Sequence, residues 1–211
     1  MSLVVLQLGL IVLAITAVLS ILIGSLRAGI SPMPSSRKAH RAVFEMLERT
    51  TPDNQQTLTL IDCGSGWGHL LFKLANRYPN ARVIGYEMSF IPWVTSYLLA
   101  HFFLLRNVTI YRKNFLSQAL PVSLQEGDIL FTYLYPKGME KLAKQLAAEH
   151  QNTALSSTNQ SGPWPLQLIS ICFALPGFEA TEQKNLTDLY RTKVYRYSLE
   201  KDPSIIPDRN R

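Results

Sequence analysis

The apolar run Leu58-Thr59-Leu60-Ile61 ends in Asp62-Cys63-Gly64-Ser65-Gly66-Trp67-Gly68, and this junction constrains the fold more than any other stretch of the chain. It reads as a buried strand that breaks into a glycine-rich turn and then opens a helix. Such a turn brings backbone N–H groups and a helix N-terminus close to a bound nucleotide-like ligand. The next apolar run, Ala81-Arg82-Val83-Ile84-Gly85-Tyr86, ends at Glu87. A carboxylate there can accept both ribose hydroxyls of a nucleoside. The glycine spacing argues against one ligand class. A dinucleotide dehydrogenase places its third glycine three positions after the second, and here position 69 is His.

Strands and helices alternate along the rest of the chain. The pattern predicts strands at about 57–62, 81–87, 108–113, 128–134 and 166–175. Between them it predicts helices over 67–78, from Pro92 to 105, and over 137–150, with an earlier helix over 37–49 capped by Ser35 or Ser36. Residues 151–165, rich in Ser, Thr, Asn, Gln and Pro, read as a surface loop. One or two closing strands fall within 187–199. The expected fold class is therefore α/β and Rossmann-like, with a mostly parallel sheet and an antiparallel edge.

Residues 1–26 carry no charged side chain, and residues 3–22 contain fourteen Leu, Ile or Val. At −0.3 to −0.6 kcal/mol each, these contribute about −4 to −8 kcal/mol toward bilayer insertion. The stretch also exceeds the ~20 residues needed to cross. A cleavable signal peptide would want a basic start and a shorter apolar run. Arg27, Arg37, Lys38 and Arg41 follow with no acid before Glu45, which places the remainder on the cytoplasmic side beside anionic headgroups. The expected organisation is a transmembrane anchor at 1–26, a juxtamembrane linker at 27–36, a catalytic domain at 37–199 and a disordered tail at 200–211. Net charge is +6, in keeping with an anionic neighbour. The two cysteines, Cys63 and Cys172, form neither a disulfide framework nor a metal-ligand spacing, and no metal is expected.

The acid-x-G-x-G-x-G form of residues 62–68 resembles motif I of class I S-adenosylmethionine (SAM) methyltransferases. Other stretches are similar to one branch of that class, the small membrane-anchored protein-lysine methyltransferases. These are Ser31-Pro32-Met33-Pro34-Ser35, Glu87-Met88-Ser89-Phe90-Ile91-Pro92-Trp93 and Tyr135-Pro136-Lys137-Gly138-Met139-Glu140-Lys141-Leu142. The resemblance implies SAM as cofactor. Asp62 would lie near its amino acid end, Gly64, Ser65, Gly66 and Gly68 beneath it, Glu87 and Met88 at the ribose, and Asn114 and Phe115 at the adenine. Two positions depart from the pattern. The family usually has Asp where this chain has Asn114, whose amide offers both an acceptor and donors. Position 67, before the third glycine, is Trp rather than a small or acidic residue.

Methyl transfer from a sulfonium is an in-line displacement, so positioning supplies most of the catalysis. A lysine acceptor must first lose its proton, at a cost of roughly 4.6 kcal/mol from pKa ~10.4 to pH 7. Ligands sit outside the carboxyl ends of parallel strands. Tyr133 and Tyr135, after the fourth strand, are therefore the candidates for orienting the acceptor nitrogen, with packing at the sheet edge as their alternative role. The expected partner is a membrane-associated protein, with no nucleic acid. A lipid-phase small molecule as acceptor, or a SAM-binding scaffold without catalysis, are the alternative functions.

Overall fold

The computed structural model describes residues 3–28, 35–49, 58–117, 127–155 and 166–199. Most of the expected linker and all of the expected tail lie outside them.

Seven strands form one sheet: β1 (Thr59–Asp62), β2 (Arg82–Tyr86), β3 (Val108–Tyr111), β4 (Ile129–Thr132), β5 (Leu166–Ile171), β6 (Glu182–Asn185) and β7 (Lys193–Leu199). Their order is β3-β2-β1-β4-β5-β7-β6. The first five are parallel, and β7 runs antiparallel to both β5 and β6. The antiparallel strand is thus the penultimate one. The chain winds outward from β1 to β3 and then returns to place β4 on the other side of β1. That reversal opens a crevice at the carboxyl ends of β1 and β4, where α/β sheets take their ligands.

Helices cover both faces, because the central strands are apolar on both sides. On one face Leu60, Val83, Phe131 and Ile169 meet α2 (Arg37–Glu48) and α3 (His69–Arg77) through Val43, Met46, Leu47, Leu71 and Leu74. On the other, Ile61, Ile84, Leu130 and Leu168 meet α5 (Pro136–Leu155) through Met139, Leu142 and Leu146. The alternation of these residues along each strand is the pleat itself. Ser36 caps α2, its Oγ accepting the Ala39 N–H at 3.1 Å. Arg49–Glu182 at 2.7 Å and the Lys184–Glu45 pair pin α2 over the far edge of the sheet.

Several boundaries differ from the sequence reading. Helix α3 starts at His69 rather than Trp67, because Gly68 sits at its cap with φ 83°. Helix α4 (Phe90–Phe102) starts before Pro92 rather than after it. In the first turn a missing N–H leaves no hydrogen bond unmade. Helix α5 extends to Leu155, five residues into the expected loop, whose remainder lies outside the described residues. Helix α4 ends with Leu105 N–H donating to Ala100 O at 3.0 Å and Leu104 N–H to His101 O at 3.1 Å. This closure puts Leu104 at φ 54°, a place where glycine is usual and where a side chain costs ~1–2 kcal/mol.

The expected anchor folds as one helix, α1 (Leu3–Ala28), and packs on α4. The transmembrane span itself is not reproduced: among the described residues no helix is long and apolar enough to cross a membrane.

Candidate functional site

Asp62 closes β1, Glu87 follows β2, Tyr133 follows β4 and Cys172 follows β5, so four side chains share the carboxyl edge of the sheet. Val194 of β7 pairs with Ile171, which brings the loop 186–192 between β6 and β7 to the same edge.

The glycine turn is held by its neighbours. Cys63 N–H donates to Phe131 O at 2.9 Å, Ser65 N–H to Tyr86 O at 3.0 Å and Gly68 N–H to Ser65 O at 2.8 Å. These bonds lock the turn to β4 on one side and β2 on the other. The three glycines serve different needs. A Cβ on Gly68 would fall 2.6 Å from the Phe72 ring, and one on Gly64 would make an ordinary 3.5 Å contact with Leu134. Gly66 has φ 52°, and a Cβ there would enter open space. Gly66 is therefore where the backbone leaves room for a ligand.

Glu87 points into this turn. Its Oε2 accepts the Gly66 N–H at 2.9 Å and its Oε1 accepts the Ser89 N–H at 2.6 Å. An ionised carboxylate has about four acceptor positions, so lone pairs remain for two further hydroxyl donors. Asp62 is buried beside it, with Oδ1 accepting the Gly64 N–H at 3.3 Å. Burial pushes the Asp62 carboxyl up to about 7, the Gly64 N–H works the other way, and the Glu87 charge adds to the rise. The thiol of Cys63 is pushed up by burial and then by Asp62.

The remaining sequence candidates are placed unevenly. Met88 is exposed next to Glu87. Ser65 reaches the turn through its backbone only. Its Oγ is buried against Gly85 and has no hydrogen-bond partner among the described residues. Asn114 is exposed after β3, and its Oδ1 accepts the Leu116 N–H at 3.0 Å. Phe115 is buried edge-on to Tyr86, ring centroids 5.4 Å apart. Tyr135 stands before α5, its carbonyl accepting the Gly138 N–H at 2.8 Å and the Met139 N–H at 3.0 Å.

Tyr133 is half-buried, and its surroundings were not legible in the sequence. Its hydroxyl is pushed up by burial and further by Cys172, Tyr190 and Asp188 nearby. Asp188 Oδ1 accepts the Thr192 N–H at 2.8 Å and Oδ2 accepts the Ser36 hydroxyl at 3.0 Å. These bonds, those to Thr192 foremost, hold its carboxyl below the usual range. Lys38 Nζ donates to Thr187 O at 2.6 Å. The start of α2 is thereby fastened to the loop 186–192, whose Leu189 and Tyr190 are exposed. Asp is a turn-favouring residue, but Asp188 lies where the sequence reading placed a strand.

A second buried group was also missed. His40 bonds to the Ser35 hydroxyl and accepts from Lys73 Nζ at 2.7 Å. Burial, then Lys73 and His69, lower its pKa to about 4, so it is neutral at pH 7. An open groove of about 700 Å³ beside it, between α2 and α3, is lined by Arg37, Arg41, Lys73 and Arg77 but also by Glu45 and Glu48. Among the described residues no cluster of His, Cys, Asp or Glu is placed to hold a metal ion.

No known family model and no curated protein matches the chain. Solved structures do. An RNA methyltransferase from Salinibacter ruber, in complex with S-adenosyl-L-homocysteine, aligns over 83% of this chain and 100% of its own at 18% identity, TM-score 0.61. A putative methyltransferase of Escherichia coli aligns over 81% and 89% at 16% identity, TM-score 0.59. An rRNA methyltransferase from Streptomyces viridochromogenes aligns over 80% and 87% at 12% identity, TM-score 0.53. At these identities the likeness establishes the architecture: this chain has the seven-stranded, Rossmann-like sheet of the methyltransferases.

Proposed function

We propose that the chain is a SAM-dependent methyltransferase, held at a membrane by its N-terminal helix, that methylates a lysine of a membrane-associated protein. The observation that carries the cofactor assignment is the Glu87 carboxylate bonded to Gly66 N–H beside open space. The residues present fit SAM: Glu87 for the ribose hydroxyls, the turn 64–68 beneath the cofactor, and Asp62 toward the amino group. Met88 and Asn114 would flank the nucleoside, with Phe115 at the adenine. Bound SAM supplies an electrophilic methyl whose leaving group is a neutral thioether.

The acceptor side rests on Tyr133, Tyr190 and Asp188. Two aromatic rings and a carboxylate suit a cationic side chain, and the half-buried Tyr133 wall favours the neutral amine that must attack. Tyr133 and Tyr135 would orient that nitrogen, which would give its ammonium proton to water before its lone pair attacks the methyl and the methyl–sulfur bond breaks. Helix α1 and the basic residues from Arg37 to Arg41 support a membrane location with the sheet on the SAM-containing, cytoplasmic side.

Gly66→Arg should eliminate measurable SAM binding by filling the space beside the turn, while the fold survives. Calorimetry of the detergent-solubilised chain tests this, and unchanged affinity would remove the cofactor from the turn. An RNA acceptor is the second reading, drawn from the two RNA-modifying neighbours and the net charge of +6. It would reverse the sequence expectation of no nucleic-acid partner. Glu45 and Glu48 in the basic groove weigh against it. Incubating a membrane lysate and total RNA with the protein and radiolabelled SAM separates the acceptors. Label on a protein band supports lysine. Label in RNA or in the organic extract overturns it in favour of a nucleic acid or a lipid.

A further inference from the structure

Helix α4 presents an outward stripe that the methyl-transfer site does not use. Phe90, Tyr97, Leu98 and Phe102 are 49%, 49%, 60% and 78% exposed, at spacings that put them on one helix face. Phe103 and Leu104 continue the stripe past the helix end at 57% and 76%. An apolar surface of this kind, interrupted by the exposed His101 alone among the described residues of that face, marks a contact in water-soluble and membrane proteins alike. Leu104 adds an independent sign. It occupies a left-handed position that glycine would fill without strain, yet carries an apolar side chain into the open.

We propose that this face of α4 lies in the interface of a lipid bilayer, as a second membrane contact beside α1. The proposal rests on the membrane location argued above and adds the surface that orients the sheet. Two observations select lipid as the occupant. Helix α1, whose described side chains are apolar apart from Gln7 and Thr16, is exposed along 3–12 and packs on α4, so two neighbouring helices both offer apolar side chains suited to acyl chains. Cationic Arg106 and Arg112 flank the two ends of the stripe, Arg112 lying 5.5 Å from the centre of the Phe90 ring. Aromatic rings with cations at their borders match the headgroup region of an anionic bilayer.

The test uses the full chain in vesicles of phosphatidylcholine and phosphatidylglycerol, with and without brominated phosphatidylcholine. Vesicle-bound protein is recovered by flotation. Read as the difference spectrum against the native chain, whose three tryptophans are common to every variant, the indole added in Phe102→Trp should emit at shorter wavelength and lose most of its intensity to the brominated lipid. In Lys144→Trp, on α5 across the sheet, it should stay unquenched. Adding Leu104→Gly to Phe102→Trp should raise the melting temperature, because the strained turn relaxes, and yet weaken the quenching. A blue-shifted indole without quenching would identify a protein partner or a second copy and overturn the proposal. So would a water-exposed emission, or protein that does not float. None of these readouts depends on methyl transfer, so they separate this contact from the activity.

Discussion

Replacing Glu87 with alanine should weaken SAM binding by ~1.5–3 kcal/mol, roughly 10- to 150-fold. The carboxylate follows the second strand directly into the glycine turn, and it bonds Gly66 N–H at 2.9 Å and Ser89 N–H at 2.6 Å. Alanine removes the acceptor for the ribose hydroxyls. It also leaves these two N–H groups to find water, which loosens the turn on which the cofactor rests. Glu87→Gln keeps one acceptor oxygen and should fall between the two. Titration calorimetry at constant pH measures all three proteins. A loss below a few tenths of a kcal/mol for alanine would put the ribose elsewhere.

Asp62→Asn should stabilise the empty protein and weaken its binding at the same time. The folded carboxyl titrates near 7, against an ordinary value of 3.8. Between those values the unfolded chain has already released a proton that the fold still holds. Stability is therefore full below pH ~4, falls as pH rises to ~7, and remains lowered above. A rise of that size corresponds to at most ~4 kcal/mol. Asparagine keeps the oxygen that accepts from Gly64 and removes the charge. The variant should equal the wild type near pH 4 and exceed it by up to that amount at pH 8, read from urea midpoints. His40 slopes the other way, since its lowered pKa withdraws stability as pH falls from 6.5 toward 4. Comparing the Asn variant with the wild type cancels that contribution. The ammonium end of SAM favours an ionised Asp62, so wild-type affinity should climb ~10-fold per pH unit up to ~7 and then level. A flat profile in the wild type would place the ammonium away from Asp62.

Much of this site was legible because it is local. Seven consecutive residues fix the turn, and one acid at the end of the next strand fixes its partner. The pleat then decides that Leu60 and Ile61 face opposite helices. What escaped notice depends on distant pairings. Asp188 matters because β7 folds back beside β5 and returns the loop 186–192 to the ligand edge. No short window of sequence shows that reversal. His40 looked like one more polar position on α2 until Lys73 from α3 closed over it. The start of α4 was misjudged at Pro92, where a breaker and a first-turn residue look alike in sequence. The membrane span was read from hydropathy alone, and among the described residues no helix is long and apolar enough to cross a membrane.

The Ser36–Asp188 bond sets a leash length. Between Ala28, where α1 ends, and Ser35 the chain has seven residue steps, at most ~25 Å when fully stretched. Ser36 is fastened to the loop 186–192 at the carboxyl edge of the sheet. The Ala28 end of α1 therefore lies within that reach of Ser35, the neighbour of the residue that ties α2 to the carboxyl edge of the sheet. If α1 is seated in a membrane as proposed, an acceptor projecting much farther into solvent than this tether reaches would be met only by bending the acceptor toward the sheet.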